Sequence, residues 1–192
     1  MPARNQPALD FLLTRRSRPA KTLVRPAPDR DQLTEILTAA ARTPDHGKLE
    51  PWRFVVLGRA ALDRLAQSVA ARAATLSLDA AATEKAVSQY RDSPLAVVVI
   101  ASPKAQDKVP QIEQTWSAGA ACLALLNAAL AAGWGANWLT GWAAHDRALM
   151  GPALALSDWE SVVGFVHIGT ETAAPPERPR PDLARIVDWQ LD

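Results

Sequence analysis

The sequence predicts an α+β domain in which a small central sheet is flanked by helices. Three apolar segments have the character of buried strands (residues 53–57, 95–101 and 161–168), and longer segments with helical periodicity separate them. Helices outnumber strands, and no internal repeat or domain-scale linker interrupts the 192 residues. We therefore expect one domain over residues 1–192, with an extended C-terminal arm from about residue 171.

Composition excludes several classes of protein. The formal net charge is +1, so bulk electrostatics give no reason to expect a nucleic acid or an anionic membrane as partner. The single cysteine, Cys122, excludes an internal disulfide and is typical of a reducing cytoplasm. The N-terminal apolar segment is too short for a signal peptide and contains Asp10. We expect a cytoplasmic protein.

Residues 116–143 contain no charged side chain, and two interpretations of this stretch compete. About 20 apolar residues can span a bilayer as a helix. Alternatively, residues 118–132 form a helix that is buried all round inside the protein. We favour the second interpretation because alanine dominates, Asn127 lies in mid-helix, and Gly133 and Gly135 indicate a helix end followed by a turn. Such a helix belongs at the centre of a domain or at a two-fold subunit contact.

The N-terminal third predicts two helices and a polar loop. The first helix, over residues 8–14, runs into Arg15-Arg16-Ser17-Arg18, a possible anion site because arginine forks match phosphate oxygens. The second begins after an N-cap at Asp29 and ends near residues 42–43, because the residue before proline avoids helical angles. The loop 44–52, which contains His46, then leads into the strand at 53–57, where ligand sites tend to form.

The remaining elements follow in order. Covering helices are expected at 62–76 and 80–90, a polar loop at 104–108, and the start of the central helix near 109–114. Residues 137–141 are a candidate strand edge or turn, and residues 144–150 a brief helix. The proline-rich tail, residues 173–181, cannot pack as a helix. Residues 182–189 could form a final strand or an arm on a partner.

Motifs for several kinds of chemistry are absent from the sequence. There is no glycine-rich nucleotide loop, no G-x-S-x-G elbow and no paired metal spacing among the three histidines, so we predict no metal site. What remains is a set of scattered cationic groups around an apolar middle with four tryptophans close by. That combination suits a planar, apolar ligand that carries a phosphate, without identifying one.

Five motifs in a fixed order carry a resemblance to a known family. They are R-R-S at 15–17, R-x-P-D-H at 42–46 followed by E-P-W-R-F at 50–54, S-A-G at 117–119, G-W-G-A-N-W-L-T-G-W at 133–142 and V-G-F-V-H-I-G-T at 163–170. Together, over residues 9–180, they resemble the flavin-dependent nitroreductase family, and most closely its small, minimal branch of NAD(P)H nitroreductases. The resemblance implies the nitroreductase-like fold and a homodimer with the long central helix at its interface and FMN in a cleft between subunits.

The resemblance also implies a set of FMN-binding residues. They are Arg15, Arg16 and Ser17 at the phosphate and ribityl end, Arg42 and His46 from the other subunit, Trp138, Leu139 and Thr140 beside the ring or phosphate, and a late basic residue, for which we favour Arg180 over Arg178. Leu139 is a departure, since some relatives carry arginine there, and this change could alter the preferred substrate charge. The resemblance also places some NAD(P)H contact on the backbone around residues 128–133, at the end of the central helix.

The implied reaction is a ping-pong cycle. NAD(P)H passes hydride to flavin N5, and an oxidised acceptor such as a nitroaromatic or quinone-like compound then takes two electrons. No side chain is required as a catalytic acid, so no catalytic residue is assigned. Two alternatives remain open: another flavin reaction on the same fold, such as dehalogenation or azoline oxidation, and a non-catalytic dimeric module that binds flavin or senses a ligand.

Overall fold

A five-stranded antiparallel sheet lies between two layers of helices in the computed structural model, which describes residues 3–105 and 108–191. In chain order the elements are α1 (Gln6–Thr14), β1 (Leu23–Val24), α2 (Arg30–Ala40), β2 (Trp52–Leu57), α3 (Arg59–Thr75), α4 (Ala80–Arg91), β3 (Leu95–Ala101), α5 (Gln111–Ala131), β4 (Gly135–Leu139), α6 (Trp142–His145), α7 (Arg147–Leu154) and β5 (Ser161–Glu171). Gln106 and Asp107, which belong to the predicted polar loop 104–108, lie outside the described residues. The predicted α+β class is confirmed.

Strand β3 is the buried centre of the sheet. It pairs with β2 on one side and β5 on the other, so that Val98 lies opposite Val55 and Phe165. All seven residues of β3 are buried, as its continuous β-branched sequence predicts. β5 also pairs with β4 and, near its end, with β1.

Each face of the sheet carries its own hydrophobic core. Helices α3, α4, α6 and α7 cover one face, where Leu62, Tyr90 and Phe165 are buried. Helices α2 and α5 cover the other, where Ile36 and Leu125 pack against β3 and β5. The N-cap predicted at Asp29 is a complete capping box, because the side chains of Asp29 and Gln32 each bind the other's backbone N–H.

The central helix α5 is buried on one face only, so the prediction of a helix buried all round is wrong for a single chain. Ala118, Ala121 and Leu125 are fully buried against the sheet. Ile112, Trp116 and Leu123 lie on the opposite side and are 52%, 65% and 45% exposed. We call this opposite side, together with Ala120, the outer face of α5. In the described part of the chain, none of the helices is long and apolar enough to cross a membrane.

Element boundaries in the C-terminal half differ from prediction. The predicted strand or turn at 137–141 is a strand that begins earlier, at Gly135, where a side chain would collide with Leu23. The single helix predicted at 144–150 is two helices, since Asp146 has extended backbone angles and caps the second by accepting from the N–H of Leu149 at 2.9 Å. β5 continues past its predicted end at Ile168 to Glu171.

The tail forms no strand in its described part. Residues 182–189, predicted as a final strand or an arm, contain a short 3₁₀ turn at Leu183–Arg185. Trp189 is 71% exposed, because no neighbouring strand offers it a pairing edge or a core to enter. A final strand is therefore wrong, and an arm on a partner stays a prediction.

His167 is the fully buried histidine of β5. Its Nδ1–H donates to the hydroxyl of Ser93 at 2.8 Å, since that hydroxyl itself donates to the carbonyl of Leu95. Its Nε2 is buried and has no hydrogen-bond partner among the described residues. Burial lowers the pKa of His167 from 6.5 to about 4, because the apolar surroundings disfavour the charged ring.

This burial predicts a loss of stability in acid. Below the unfolded pKa of 6.5 the unfolded chain takes up a proton that the native state refuses, so the free energy of unfolding falls between about pH 6.5 and pH 4. The difference in pKa corresponds to about 3 kcal/mol from this one group. Replacing His167→Asn should flatten the pH dependence of urea unfolding by about that amount. The control His145→Asn, at an exposed histidine, should leave the slope unchanged, and equal slopes in all three proteins would contradict the assignment.

Candidate cofactor-binding site

The segment that follows α1 is fixed to the start of β4. Arg15 closes the helix by donating its backbone N–H to the carbonyl of Phe11 at 2.8 Å. The backbone N–H of Arg18 donates to the carbonyl of Ala136, and the side-chain amide of Asn137 donates to the carbonyl of Arg18, both at 2.8 Å. The predicted R-R-S motif therefore sits at a defined place beside the C-terminal end of α5.

A cavity of about 590 Å³ opens at this place, a size within the range of small-molecule sites. We call it the arginine pocket. Its polar lining comes from Thr14, Arg15, Arg16, Arg18, Gln32, Thr170 and Glu171, and its apolar wall from Phe11, Leu130 and residues 132–135. The pocket thus combines cations with an apolar wall that includes Trp134.

Two of the pocket's arginines are neutralised by carboxylates. The Nε of Arg18 lies 2.6 Å from Glu171 Oε2. The Nη1 of Arg16 lies 3.3 Å from Glu177 Oε1 and donates to the carbonyl of Pro176 at 2.6 Å. Arg180 reaches the same Oε1 of Glu177 at 3.1 Å. These contacts hold the tail against the R-R-S motif.

Arg15 is the exception, because no carboxylate pairs with it among the described residues. Its Nη2 donates to Ser17 Oγ at 3.0 Å, and its Nε is buried without any hydrogen-bond acceptor. The pKa of Arg15 is lowered from its usual value, first by burial and then by the positive charges of Arg180, Arg16 and Arg18. A half-buried guanidinium with an unused N–H, crowded by like charges, favours an anionic ligand.

The tail places the two late arginines differently. The charge of Arg180 acts on Arg15, and its guanidinium shares Glu177 with Arg16. Arg178 instead uses its backbone, whose N–H donates to Glu177 Oε1 at 2.9 Å. Both side chains are exposed, but only that of Arg180, of the two, is seen to interact with the R-R-S motif.

A second group of predicted residues lies at the opposite end of α5. His46 Nδ1 lies 2.7 Å from Glu113 Oε2, in the first turn of that helix. Leu130, which lines the arginine pocket, is 17 residues further along the same helix, or about 25 Å at 1.5 Å per residue. Arg42 is exposed just after α2 and lines a separate open depression with Glu35. One chain therefore does not bring Arg42 and His46 to Arg15.

The third group, Trp138 to Thr140, occupies the far end of β4. Gly135 lines the arginine pocket, and Leu139 is four residues further along the strand, or about 13 Å. The indole of Trp138 lies across Gly164 of β5, where any added Cβ would collide with the ring. Trp138 and Leu139 are partly buried and Thr140 is exposed, and none of the three lines the arginine pocket.

The set of FMN-binding residues predicted from the sequence leaves out four contributors to these groups. Arg18 adds charge around Arg15, and its nearness in R-R-S-R was a usable signal. Glu171 and Glu177 neutralise neighbouring arginines from 150 or more residues away, and nothing local in the sequence indicates those contacts. Glu113 could have been found as the lone charge on an otherwise uncharged helix.

The chain is similar to known proteins in both sequence and fold. A model of the Nitroreductase family matches residues 12–170. The "Putative NAD(P)H nitroreductase YdjA" of Escherichia coli K12 is 36% identical over 163 residues, which cover 85% of this chain and 87% of that protein. The crystal structure of a nitroreductase-like family protein from Bacillus cereus has a TM-score of 0.79 at 20% identity, covering 100% of both chains. The structure described as "a putative nitroreductase in complex with FMN", from Desulfovibrio desulfuricans, has a TM-score of 0.73 at 24% identity, covering 97% of this chain and 98% of that one.

These matches confirm the family that the five motifs indicated. The family model spans most of the chain, and the E. coli relative is similar over nearly its whole length. The two structural neighbours independently share the fold. The chain belongs to the nitroreductase family and is an oxidoreductase with that family's α+β fold.

Proposed function

We propose that the protein is an FMN-dependent NAD(P)H oxidoreductase that works as a homodimer. When bound, FMN supplies a ring that takes a hydride from NAD(P)H and passes two electrons to a nitroaromatic or quinone-like acceptor in a ping-pong cycle. Support comes from the family membership, from the name of the E. coli relative and from the FMN bound to the D. desulfuricans neighbour.

The observation that carries the proposal is the unsatisfied guanidinium of Arg15. Its buried Nε has no acceptor, and three further arginines crowd it, so the arginine pocket holds more positive charge than Glu171 and Glu177 balance. A phosphate monoester supplies both charge and acceptor oxygens. The residues present therefore fit FMN, with Arg15, Arg16, Ser17 and Arg180 assigned to its phosphate and ribityl end.

The separation of the two polar groups at the ends of α5 supports the proposed dimer. His46 and Arg15 lie near opposite ends of that helix, and the outer face between them is uncharged and exposed. A two-fold axis across the outer face would pair two copies of α5 in opposite directions. His46 and Arg42 of one subunit would then approach the arginine pocket of its partner, and one binding site would draw on both chains.

The remaining assigned residues would orient the ring and its substrates. One stretch on the β4 side of the fold contains Trp138, Leu139 and Thr140. The indole of Trp138 lies across Gly164, which has no side chain to collide with it. A neutral Leu139 leaves the site without an added cation at this position, which favours uncharged over anionic acceptors. Positive side chains near the ring stabilise an anionic reduced flavin and so favour acceptance of hydride.

Purification and an anaerobic titration test this function directly. We expect a yellow protein, or one that turns yellow on addition of FMN, with absorbance that bleaches when NADPH or NADH is added without oxygen and returns when a nitroaromatic or quinone is supplied. Bleaching requires an open, hydride-accepting site, whereas a storage or sensing module would stay yellow. A protein that does not bind FMN would contradict both the oxidoreductase and the flavin-binding module.

The phosphate assignment predicts a selective defect. Arg15→Ala should weaken FMN binding by about 10- to 100-fold, because a hydrogen bond between charged groups is lost. Riboflavin, which lacks the phosphate, should bind both proteins equally well, as measured by fluorescence quenching. Arg4→Ala is the matched control, since Arg4 is exposed and contacts only Gln6 among the described residues, and its FMN affinity should not change. Equal loss of both ligands in Arg15→Ala would count against a phosphate contact.

Substitutions at two adjacent alanines of α5 test the fold of the subunit and the dimer contact separately. Ala121→Glu places an unpaired carboxylate in the core of each subunit and should unfold it. Ala120→Glu adds the same charge on the outer face, where a single chain tolerates it, so the variant should stay folded but sediment as a monomer. Circular dichroism and analytical ultracentrifugation measure the two effects. A folded dimer of Ala120→Glu with wild-type affinity would show that the outer face is not the contact.

A further inference from the structure

Glu113 is the lone charged side chain in the 21 residues of α5, and it is bound to a histidine from a distant part of the chain. Its Oε2 lies 2.7 Å from Nδ1 of His46, 67 residues earlier in the sequence. Glu113 makes this one side-chain contact on an otherwise uncharged helix, so the contact with His46 is the place to look for its role.

The loop that carries His46 is pinned to α5 at a second point, one helical turn further on. The hydroxyl of Ser117 donates to the carbonyl of Pro44 at 2.9 Å and accepts from the indole Nε1 of Trp52 at 3.2 Å. The two ends of the loop 44–52 are therefore tied to one hydroxyl of α5, and His46 is tied to Glu113 between them.

The same loop holds unfavourable backbone angles. Gly47, Lys48 and Glu50 have φ values of +77°, +56° and +47°, in the left-handed region that non-glycine residues seldom adopt. Conformations of this kind persist where surrounding contacts over-determine them, and they concentrate at ligand sites. The contacts of the flanking residues with α5 supply part of that restraint, and the backbone N–H of Glu50 adds to it by donating to the carboxylate of Asp45.

An ordinary surface ion pair would explain the contact less well. In a single chain His46 and Glu113 are 61% and 39% exposed, and exposed pairs add little stability. Glu113 lies beside Ile112 and one turn before Trp116, at the edge of the outer face that the proposed dimer covers. A carboxylate at such an edge loses water on assembly and needs a fixed partner.

Hydrogen-bond chemistry then determines which nitrogen of His46 stays free. An ionised carboxylate can only accept, so Nδ1 must carry the proton and Nε2 is left as the outward group. We propose that Glu113 is a positioning residue, which fixes the tautomer and orientation of His46 so that Nε2 faces the polar edge of the bound flavin. This inference rests on the proposed function, in which His46 contributes to the partner's FMN site.

The tautomer can be read without any ligand. With ¹⁵N-labelled histidine and the protein at an alkaline pH, neutral His46 in the wild type should show protonated Nδ1 and bare Nε2. Glu113→Gln should give a mixture of tautomers, because its amide can accept or donate. Glu84→Gln is the matched control, since it removes the carboxylate of another exposed pair, with Arg91 on α4. An unchanged tautomer in Glu113→Gln would overturn the proposal.

A double-mutant cycle on FMN affinity tests the link to the flavin. Glu113→Gln should weaken FMN binding by about 3- to 30-fold when His46 is present and have no effect in a His46→Gln background, because the carboxylate acts only through the imidazole. Equal weakening in both backgrounds would overturn positioning and indicate a general effect on α5. If wild-type protein binds no FMN, the proposed function and the flavin link fall together, while the tautomer measurement still decides whether Glu113 fixes His46.

Discussion

The constraint on which this structure depends is the nearly uncharged sequence of α5, whose lone charged side chain, Glu113, lies in its first turn. The inner face buries Ala118, Ala121 and Leu125, and Leu125 belongs to the same hydrophobic core as residues of β3 and β5. The outer face keeps Trp116 and Leu123 exposed, although large apolar groups on one helix face normally need a cover. The same helix thus organises the core of one chain and, in the proposed dimer, would contact a second one. Its length also sets the distance between the two groups of polar residues at its ends.

Most of the arginines at and beside the arginine pocket are paired with carboxylates of the same chain. Arg16, Arg18 and Arg180 are each held by Glu171 or Glu177, so their positions are fixed by partners within the chain. Arg15 is fixed instead by its backbone at the end of α1 and by Ser17, which leaves its Nε free. Among the described residues, Arg15 is the arginine of this group without a carboxylate partner, and the proposed FMN phosphate would meet it beside arginines that carboxylates hold in position. The contacts of Arg16 with Pro176 and Glu177 also explain why the proline-rich tail lies beside the R-R-S motif, although no strand or α-helix holds its described part.

The elements that could be predicted are those that depend on interactions between residues close together in the sequence. The β-branched run of β3, the capping box of Asp29 and Gln32, and the long uncharged helix were all predictable, because periodicity and capping act within a few residues. The start of β4 at Gly135 was not, since it depends on the close approach of Leu23. Within the site, the arginines could be named from a motif, but the pairing of His46 with Glu113 spans 67 residues and depends on the fold. The left-handed angles at Lys48 and Glu50 could likewise not be predicted, because they belong to a loop whose contacts form only in the folded chain.

A site divided between the two ends of one helix has a thermodynamic consequence in the proposed dimer. The arginine pocket and His46 each belong to a folded subunit, so either group can form alone, but together they exist only where two outer faces meet. A ligand that contacts both groups binds the dimer more tightly than the monomer, and by linkage it stabilises the dimer by the same free energy. Cofactor occupancy and assembly would then support each other without any change of subunit fold. The uncharged stretch of the outer face would allow the close, dry contact that a ligand site at its border needs. Glu113, at the edge of that face, is bound to His46, which the proposed dimer would bring to that site.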